Sequence, residues 1–142
     1  MLTVMGGGAK TNYTGAGSFL YESYPRVHGV NGWVGSAKEH IIPDPSTITV
    51  WAIGLRKSFL INKGMSVIVS NSTSLFKAKY PSQTYVIPDF HLTGVGAQVN
   101  GLQTVGNLLT ANFPEDRQTV VAKGKDHILA DPSGKWHITE GT

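Results

Sequence analysis

The stretch that decides the fold is KEHIIPDPS, from Lys38 to Ser46, because it returns later in the chain as KDHILADPS, from Lys125 to Ser133. Six of the nine positions are identical, and the two copies begin 87 residues apart, at positions 38 and 125. An internal repeat constrains the whole architecture, since each copy is expected to build one supersecondary unit. The repeat therefore predicts that similar structural units recur along this chain.

The similarity extends upstream of both phrases. Short matching motifs precede each copy: Gly8-Ala9 matches Gly96-Ala97, Asn12 matches Asn100, Leu20 matches Leu109, and Tyr24-Pro25 matches Phe113-Pro114. A fainter third copy lies in GMSVIVSNSTSLFKAKYP (64–81) and TYVIPDFHL (84–92), where the Asp-Pro-Ser turn is missing. The chain is therefore predicted to be a single domain, 1–142, with repeat units at roughly 1–58, 59–92 and 93–142.

The composition is typical of an all-β protein with many turns, because charged residues make up only 15% and Gly occurs 17 times. In the first unit, strands are predicted near Thr3–Thr11, Ser18–Tyr24, Trp33–Ala37 and Thr47–Leu55. The last of these, TITVWAIGL, is richest in β-branched and aromatic residues. Three such units predict an all-β fold with a pseudo-threefold repeat of short antiparallel sheets, β-prism-like, and a β-sandwich is the alternative.

Alternation along the second strand of each unit predicts which face is buried. One face is apolar or small in all three units, and it holds Leu20, Glu22 and Tyr24 in the first, Phe76, Ala78 and Tyr80 in the second, and Leu109, Ala111 and Phe113 in the third. Glu22 interrupts this face. Because a buried carboxylate without partners is costly, Glu22 is expected either to turn to water or to be held by a partner.

Several function classes are excluded by the composition. The chain has no Cys, which removes disulfides, thiolate metal sites and Cys nucleophiles. The net charge is +3, but Lys and Arg are scattered, so no nucleic-acid partner is expected. No classical signal peptide is seen, and no apolar run is long enough to predict a transmembrane helix.

No catalytic residue, metal or cofactor is expected. The chain has neither a G-x-S-x-G elbow nor a P-loop. His40 with Asp44, or His127 with Asp131, offers two metal ligands per copy, whereas zinc takes three or four protein ligands. The chain is predicted not to be an enzyme, and carboxylate pairs such as Glu39 with Asp44 keep a polysaccharide hydrolase as the last alternative.

The repeated phrase itself has two interpretations. In the structural one, Asp accepts a backbone hydrogen bond and Pro presets φ, so that Asp-Pro-Ser is a turn between the third and fourth strands. In the functional one, the phrase displays polar side chains on a rigid scaffold, where loops often bind ligands. The candidate ligand-binding residues are then Lys38, His40 and Asp44 with Trp33 in the first unit, and Lys125, His127 and Asp131 in the third.

Aromatic residues near the phrase add to the functional interpretation, since an apolar sugar face stacks on Trp or Tyr. Trp33 follows HGVNG, a loop signature, and is expected to be exposed. Tyr24 and Trp51 lie within strong strand patterns and are expected in the core. Because the full phrase occurs in the first and third units alone, two equivalent sites are predicted and the middle unit is expected to be mainly structural.

This repeat of short sheets resembles the β-prism families, which include the jacalin-like lectins, the monocot mannose-binding lectins and membrane-binding prism domains that follow pore-forming modules. The resemblance implies a carbohydrate- or receptor-binding module, such as the targeting domain of a toxin or of a phage or bacterial surface protein. It also implies a secreted or particle- or cell-surface location, with a glycan or cell-surface receptor as partner. The QxDxNxVxY motif of the monocot lectins is absent, so no binding residue carries over.

Other partners and functions stay open. A membrane surface would also suit a module of this kind. The strand TITVWAIGL is apolar on both faces, which is typical of a strand buried on both sides and so of a subunit interface. A structural or oligomerisation module of a surface or fibre protein, assembled as a homo-oligomer, is therefore the alternative function.

Overall fold

A computed structural model of the chain describes residues 1–15, 17–26, 31–39, 43–73, 82–100, 108–125 and 137–141. Within them the backbone forms β1 (Leu2–Asn12), β2 (Ser18–Arg26), β3 (Gly32–Glu39), β4 (Thr47–Arg56), α1 (Lys57–Asn62), β5 (Ser82–Val86), β6 (Gly96–Asn100), β7 (Leu108–Pro114), β8 (Thr119–Lys125) and β9 (His137–Gly141). The four strands predicted for the first unit are confirmed as β1 to β4, with limits that differ by two residues at most.

The strands form three small antiparallel sheets, which confirms the all-β prediction. Sheet 1 pairs β1 with β4, sheet 2 has the order β3-β2-β6-β9, and sheet 3 has the order β5-β8-β7. This set of sheets is compatible with a β-prism-like architecture. Sheet 2 combines strands of the first repeat unit with strands of the third, so the two copies are joined within a single sheet.

The hairpins β2–β3 and β7–β8 have the same register, and this confirms the sequence repeat in three dimensions. Strands β2 and β7 each contain a β-bulge, where the register shifts, at the same place. It lies between Leu20 and Glu22 in β2 and between Leu109 and Ala111 in β7. The paired residues correspond one to one: Phe19–Lys38, Leu20–Ala37, Glu22–Ser36, Ser23–Gly35, Tyr24–Val34 and Pro25–Trp33 match Leu108–Lys125, Leu109–Gly124, Ala111–Lys123, Asn112–Ala122, Phe113–Val121 and Pro114–Val120.

The bulge overturns the predicted buried face of these strands. An extra residue in one strand reverses the alternation beyond it, so Leu20 and Glu22 no longer share a face. Leu20 instead lines the same depression as Ser23. In β7, Leu109 packs against the core, while Phe113, which was predicted to share its face, is 41% exposed on the opposite face. The period of two holds on each side of the bulge but not across it.

Within the described residues, the middle unit contributes β5 and most of α1, which begins at the end of the first unit. The strand pattern of the sequence did not predict α1, which follows β4 directly and buries Leu60. Residues 74–81, which contain the matched Leu75-Phe76 and Tyr80-Pro81, lie outside the described residues. In the part of the chain that the structure describes, no helix is of the length and apolarity needed to span a membrane.

The most buried side chains lie on β6, β7 and β8. β8 is the central strand of sheet 3, and its residues from Thr119 to Ala122 are all buried. The core residues on these three strands are Ala97, Val99, Leu108, Val120, Val121 and Ala122. Leu109 packs against Ala97 and Ala122, so β7 and β8 are held against β6 of sheet 2. Burial of this apolar surface is the main favourable term for that half of the protein.

The β7–β8 hairpin is closed by a carboxylate. Asp116 accepts hydrogen bonds from the backbone N–H of Gln118 at 2.7 Å, from the backbone N–H of Thr119 at 2.7 Å and from the Thr119 hydroxyl at 2.9 Å. The backbone bond from Gln118, followed by the Thr119 hydroxyl, lowers the pKa of Asp116 below its ordinary value of 3.8. The ionised carboxylate therefore supports this turn at neutral pH.

Sheet 1 docks on sheet 2 through two glycines. A Cβ on Gly7 of β1 would overlap the Trp33 ring of β3, and a Cβ on Gly35 of β3 would meet the side chains of Ala9 and Val50. The absence of a side chain at these positions lets the two sheets approach closely. Trp33 is therefore an inter-sheet packing residue, and it also donates a hydrogen bond from Nε1 to Ser23 Oγ at 2.9 Å.

A polar row crosses sheet 2 at Glu22. Its Oε1 accepts from Ser36 Oγ on β3, and its Oε2 accepts from Gln98 Nε2 on β6 at 2.8 Å. Glu22 is buried and is thus held by partners, which was one of the two outcomes expected for it. Burial, followed by the charge of Glu22, raises the pKa of Tyr24. This row fastens three neighbouring strands of the sheet.

Alanine at Gly7 is expected to destabilise the protein, whereas alanine at the neighbouring Gly8 is not. The Gly7 side chain would overlap the Trp33 ring and the Trp51 carbonyl oxygen, so Gly7→Ala should cost about 1–3 kcal/mol of unfolding free energy. Nothing lies within 4 Å of a Cβ at Gly8. Gly8→Ala should leave stability unchanged or slightly raised. Urea unfolding of both variants tests this, and equal effects would contradict the described docking.

The Glu22 row gives a second test of stability. Glu22→Ala leaves the Ser36 hydroxyl and the Gln98 amide without their acceptor, so a loss of about 2–4 kcal/mol is expected. Glu22→Gln has the same shape, and it can accept from Gln98 and donate to Ser36, so a loss below about 1 kcal/mol is expected. Urea unfolding measures both. An alanine variant as stable as the glutamine variant would show that the row does not hold the sheet.

Candidate functional site

Asp44, the acid of the first Asp-Pro-Ser sequence, binds the backbone of a different loop, and residues 43–46 do not form the turn that was expected there. Its Oδ2 accepts hydrogen bonds from the N–H of Gly15 at 3.1 Å and from the N–H of Gly17 at 2.7 Å. Both glycines lie between β1 and β2, whereas Asp44 lies between β3 and β4. A carboxylate that accepts two backbone N–H groups makes strong, charge-assisted bonds. Asp44 therefore fastens two loops together at one end of sheet 1.

Gly17 and the ring of Tyr13 complete this junction. Gly17 has φ of +90°, which side-chain-bearing residues rarely adopt, and a Cβ there would lie 2.8 Å from the Tyr13 ring. The Tyr13 ring is in turn 6.4 Å from the ring of Phe19, tilted by 45°. Tyr13 remains 46% exposed. The loop thus presents an aromatic ring to solvent while packing its other side against the protein.

A shallow depression, the tip depression, lies between these two loops. It has a volume of about 400 Å³ and is lined by Asn12, Tyr13, Thr14, Pro45, Ser46 and Thr47. Asn12 Nδ2 donates to Thr49 Oγ1 at 2.9 Å, which fixes the amide across β1 and β4. The lining therefore combines an aromatic ring, an amide and several hydroxyl groups, which can both donate and accept hydrogen bonds.

Three predicted site residues of the first unit, Asp44, Lys38 and Trp33, lie among the described residues, and the structure does not place them together. Asp44 immediately precedes Pro45 and Ser46, which line the tip depression. Lys38 is buried in β3, where its Nζ lies 5.7 Å from the centre of the Tyr21 ring. Trp33 packs between sheets 1 and 2 rather than at the tip.

The third unit is described less completely. Lys125, the equivalent of Lys38, is exposed at the end of β8 and pairs with Leu108. His127 and Asp131, together with His40 of the first unit, lie outside the described residues. The two described lysines therefore differ in burial although their hairpins share one register. The prediction that both copies form equivalent sites stays a prediction.

The exposure of both tryptophans differs from the prediction, since Trp33 is half-buried and Trp51 is exposed. Trp33 was expected to be exposed, but it lies against Gly7 and donates a hydrogen bond to Ser23. Trp51 was expected in the core, but it is 51% exposed on β4. The register makes the fully buried Val120 the equivalent of Trp33 in the third unit. Trp51 is exposed because sheet 1 has a second face that no described sheet covers.

The residues that line the tip depression were not predicted, apart from their neighbour Asp44. The run NYTGAG, from Asn12 to Gly17, could have indicated an exposed loop with an aromatic residue, because Tyr13 precedes two glycines at the end of a strand. Among the described residues, no group of three or more His, Asp or Glu side chains is placed to hold a metal ion. The chemistry that this site offers is hydrogen bonding and ring stacking.

Comparison with known proteins identifies no relative. No protein-family model matches the chain, and neither a curated protein nor a solved structure matches it. The function must therefore be argued from the geometry of the site.

Replacement of Asp44 is expected to loosen the tip. Asp44→Ala removes the acceptor of two backbone N–H groups, so a loss of about 1–2 kcal/mol in unfolding free energy is expected. Asp44→Asn keeps one acceptor oxygen and should lose less. Glu39→Ala, which removes an exposed acid at the end of β3, is the control and should be neutral. Chemical unfolding measures all three, and an Asp44→Ala variant as stable as the control would contradict the role of Asp44.

Proposed function

We propose that the chain is a carbohydrate-binding module whose ligand occupies the tip depression. The observation that carries the proposal is the exposed Tyr13 ring, which stands beside the amide of Asn12 and the hydroxyls of Thr14 and Ser46. A sugar ring has one apolar face and a rim of hydroxyl groups. The apolar face would stack on Tyr13, and the rim would exchange hydrogen bonds with the polar lining.

The rigidity of the tip supports the proposal. Asp44 fixes the loop between β1 and β2, and the Tyr13 ring is packed against Gly17 on one side. A site that is ordered before binding avoids much of the entropy cost of ordering side chains on association. Sugar ligands gain little from the burial of apolar surface, so this preorganisation matters for their affinity.

The partner in this proposal is a glycan on a cell-surface receptor, and the place of action is a cell or particle surface. The net charge of +3 is suited to neutral and anionic glycans alike. The repeat also implies a second site in the third unit, so the proposed stoichiometry is two sugars per chain. Nothing in the lining of the tip depression requires a cofactor.

Replacement of Tyr13 tests the proposal. A glycan array screened with the wild-type chain should identify a ligand, and Tyr13→Ala should then weaken binding about tenfold, because one stacking surface is lost. Phe113→Ala removes an aromatic ring of similar exposure on β7 and is the matched control. Titration calorimetry gives the affinity and the number of sites, and circular dichroism confirms that each variant is folded.

The other outcomes separate the alternatives. Binding of the wild type to anionic or neutral vesicles, with no glycan bound, would identify a membrane surface as the partner and overturn the proposal. Recovery of a bound oligosaccharide in cleaved form, detected by mass spectrometry, would identify a hydrolase instead. Equal loss of binding in the Tyr13 and Phe113 variants would move the site away from the tip depression.

A further inference from the structure

β4 is an open edge strand of unusual composition. It pairs with β1 along one side, and within the described residues no strand pairs with its other side. The backbone N–H and C=O groups on that side can bind a further strand. β4 is also long, with ten residues from Thr47 to Arg56, so it offers an extended row of such groups.

The side chains of β4 do not protect this edge. No charged residue and no proline lies between Thr47 and Leu55. Natural edge strands are usually blunted by charges, prolines or bulges, because an apolar edge pairs with other chains. The exposed apolar side chains of β4 are Ile48 at 39%, Val50 at 39%, Trp51 at 51%, Ile53 at 66% and Leu55 at 38%.

We propose that this edge binds a second copy of the chain, with the two β4 strands antiparallel about a twofold axis. Such an interface joins β1 and β4 of both copies into one four-stranded sheet. It is self-complementary, as a twofold interface requires, because the same strand is presented by each partner. Every β4 residue then meets a partner residue of the same apolar strand.

The charges at the strand ends favour the antiparallel direction. β4 ends at the exposed Arg56 and is followed by the exposed Lys57, and it is preceded by Asp44. An antiparallel pair brings the cationic end of each copy next to the anionic end of the other. A parallel pair would instead place Lys57 of one copy beside Lys57 of the other, which is repulsive.

The register follows from the same charges and from the pleat. Directly opposed residues share a face, so a twofold antiparallel pair must place one residue opposite its own copy. With Trp51 or Ala52 on the axis, the pairing covers nine residues of each β4, more than any other axial residue allows. With Trp51, Leu55 is opposite Thr47, and Arg56 is level with Ser46, two residues from Asp44. With Ala52, Arg56 would be opposite the apolar Ile48. The structure therefore points to Trp51 as the axial residue.

The size of the exposed area indicates the strength of the contact. The exposed surface of the five apolar side chains sets an upper limit on the order of 400 Å² per copy for the contact, about half of what one partner gives to an interface of standard size. An interface of this area belongs to the weak class. A dissociation constant of about 10–100 μM is therefore expected.

Sedimentation of the full chain over a concentration series tests the assembly. The wild type should change from monomer to dimer near the expected dissociation constant, and Ile53→Lys should weaken the dimer at least about tenfold. Ile53 is largely exposed, so its replacement by lysine should leave the fold intact. Val86→Lys, at an exposed position on the edge strand β5, is the matched control and should dimerise as the wild type does.

Single cysteines test the register, because the chain has no cysteine of its own. Under mild oxidation Trp51→Cys should form a disulfide-linked dimer, since axial residues face each other at a separation that a disulfide spans. Ile53→Cys, on the same face, lies opposite Thr49 of the second copy and should stay unlinked. A wild type that is monomeric at all concentrations, or an Ile53→Cys variant that links as readily as Trp51→Cys, would overturn the proposal.

Discussion

The interaction on which the rest of the structure depends is the hydrogen-bonded Glu22 carboxylate at the junction of β2 and β6. The ladder between these strands consists of the pairs Glu22–Gln98 and Ser23–Ala97 within the described residues. Because this ladder is short, the charge-assisted hydrogen bonds of Glu22 to Ser36 on β3 and to Gln98 on β6 contribute much of the stability of the junction. On one side of this junction, sheet 1 docks on the β2–β3 hairpin. On the other side, the β7–β8 hairpin packs against β6. Glu22 thus joins the two halves of the chain.

The two copies of the hairpin share a register but have different environments. Val120 and Ala122 of the third unit are fully buried. Their equivalents in the first unit, Trp33 and Gly35, contact sheet 1. Burial depends on what packs against a strand, and the two hairpins have different neighbours. A repeated sequence therefore produces the same ladder and bulge in both places without producing the same surface.

The tip depression and the open edge of β4 lie on the same sheet, and their combination has a functional consequence. In an antiparallel pair of β4 strands, the two Thr47 residues lie about 25–30 Å apart along the joined sheet. Each Thr47 lines one tip depression. Under the two proposals, two such sites on one sheet would bind a multivalent glycan with greater avidity than either site alone.

The sequence by itself determined the β class, the repeat and the positions of β1 to β4, because the alternation of side chains along a strand is a local property. Tertiary structure decided the rest. A bulge after Leu20 reversed the faces of β2, and the packing of sheet 1 leaves Trp33 half-buried and Trp51 exposed. The partners of Asp44 were also beyond local inference, since Gly15 and Gly17 belong to another loop. Such contacts form between distant segments, and only the packing of whole sheets determines them.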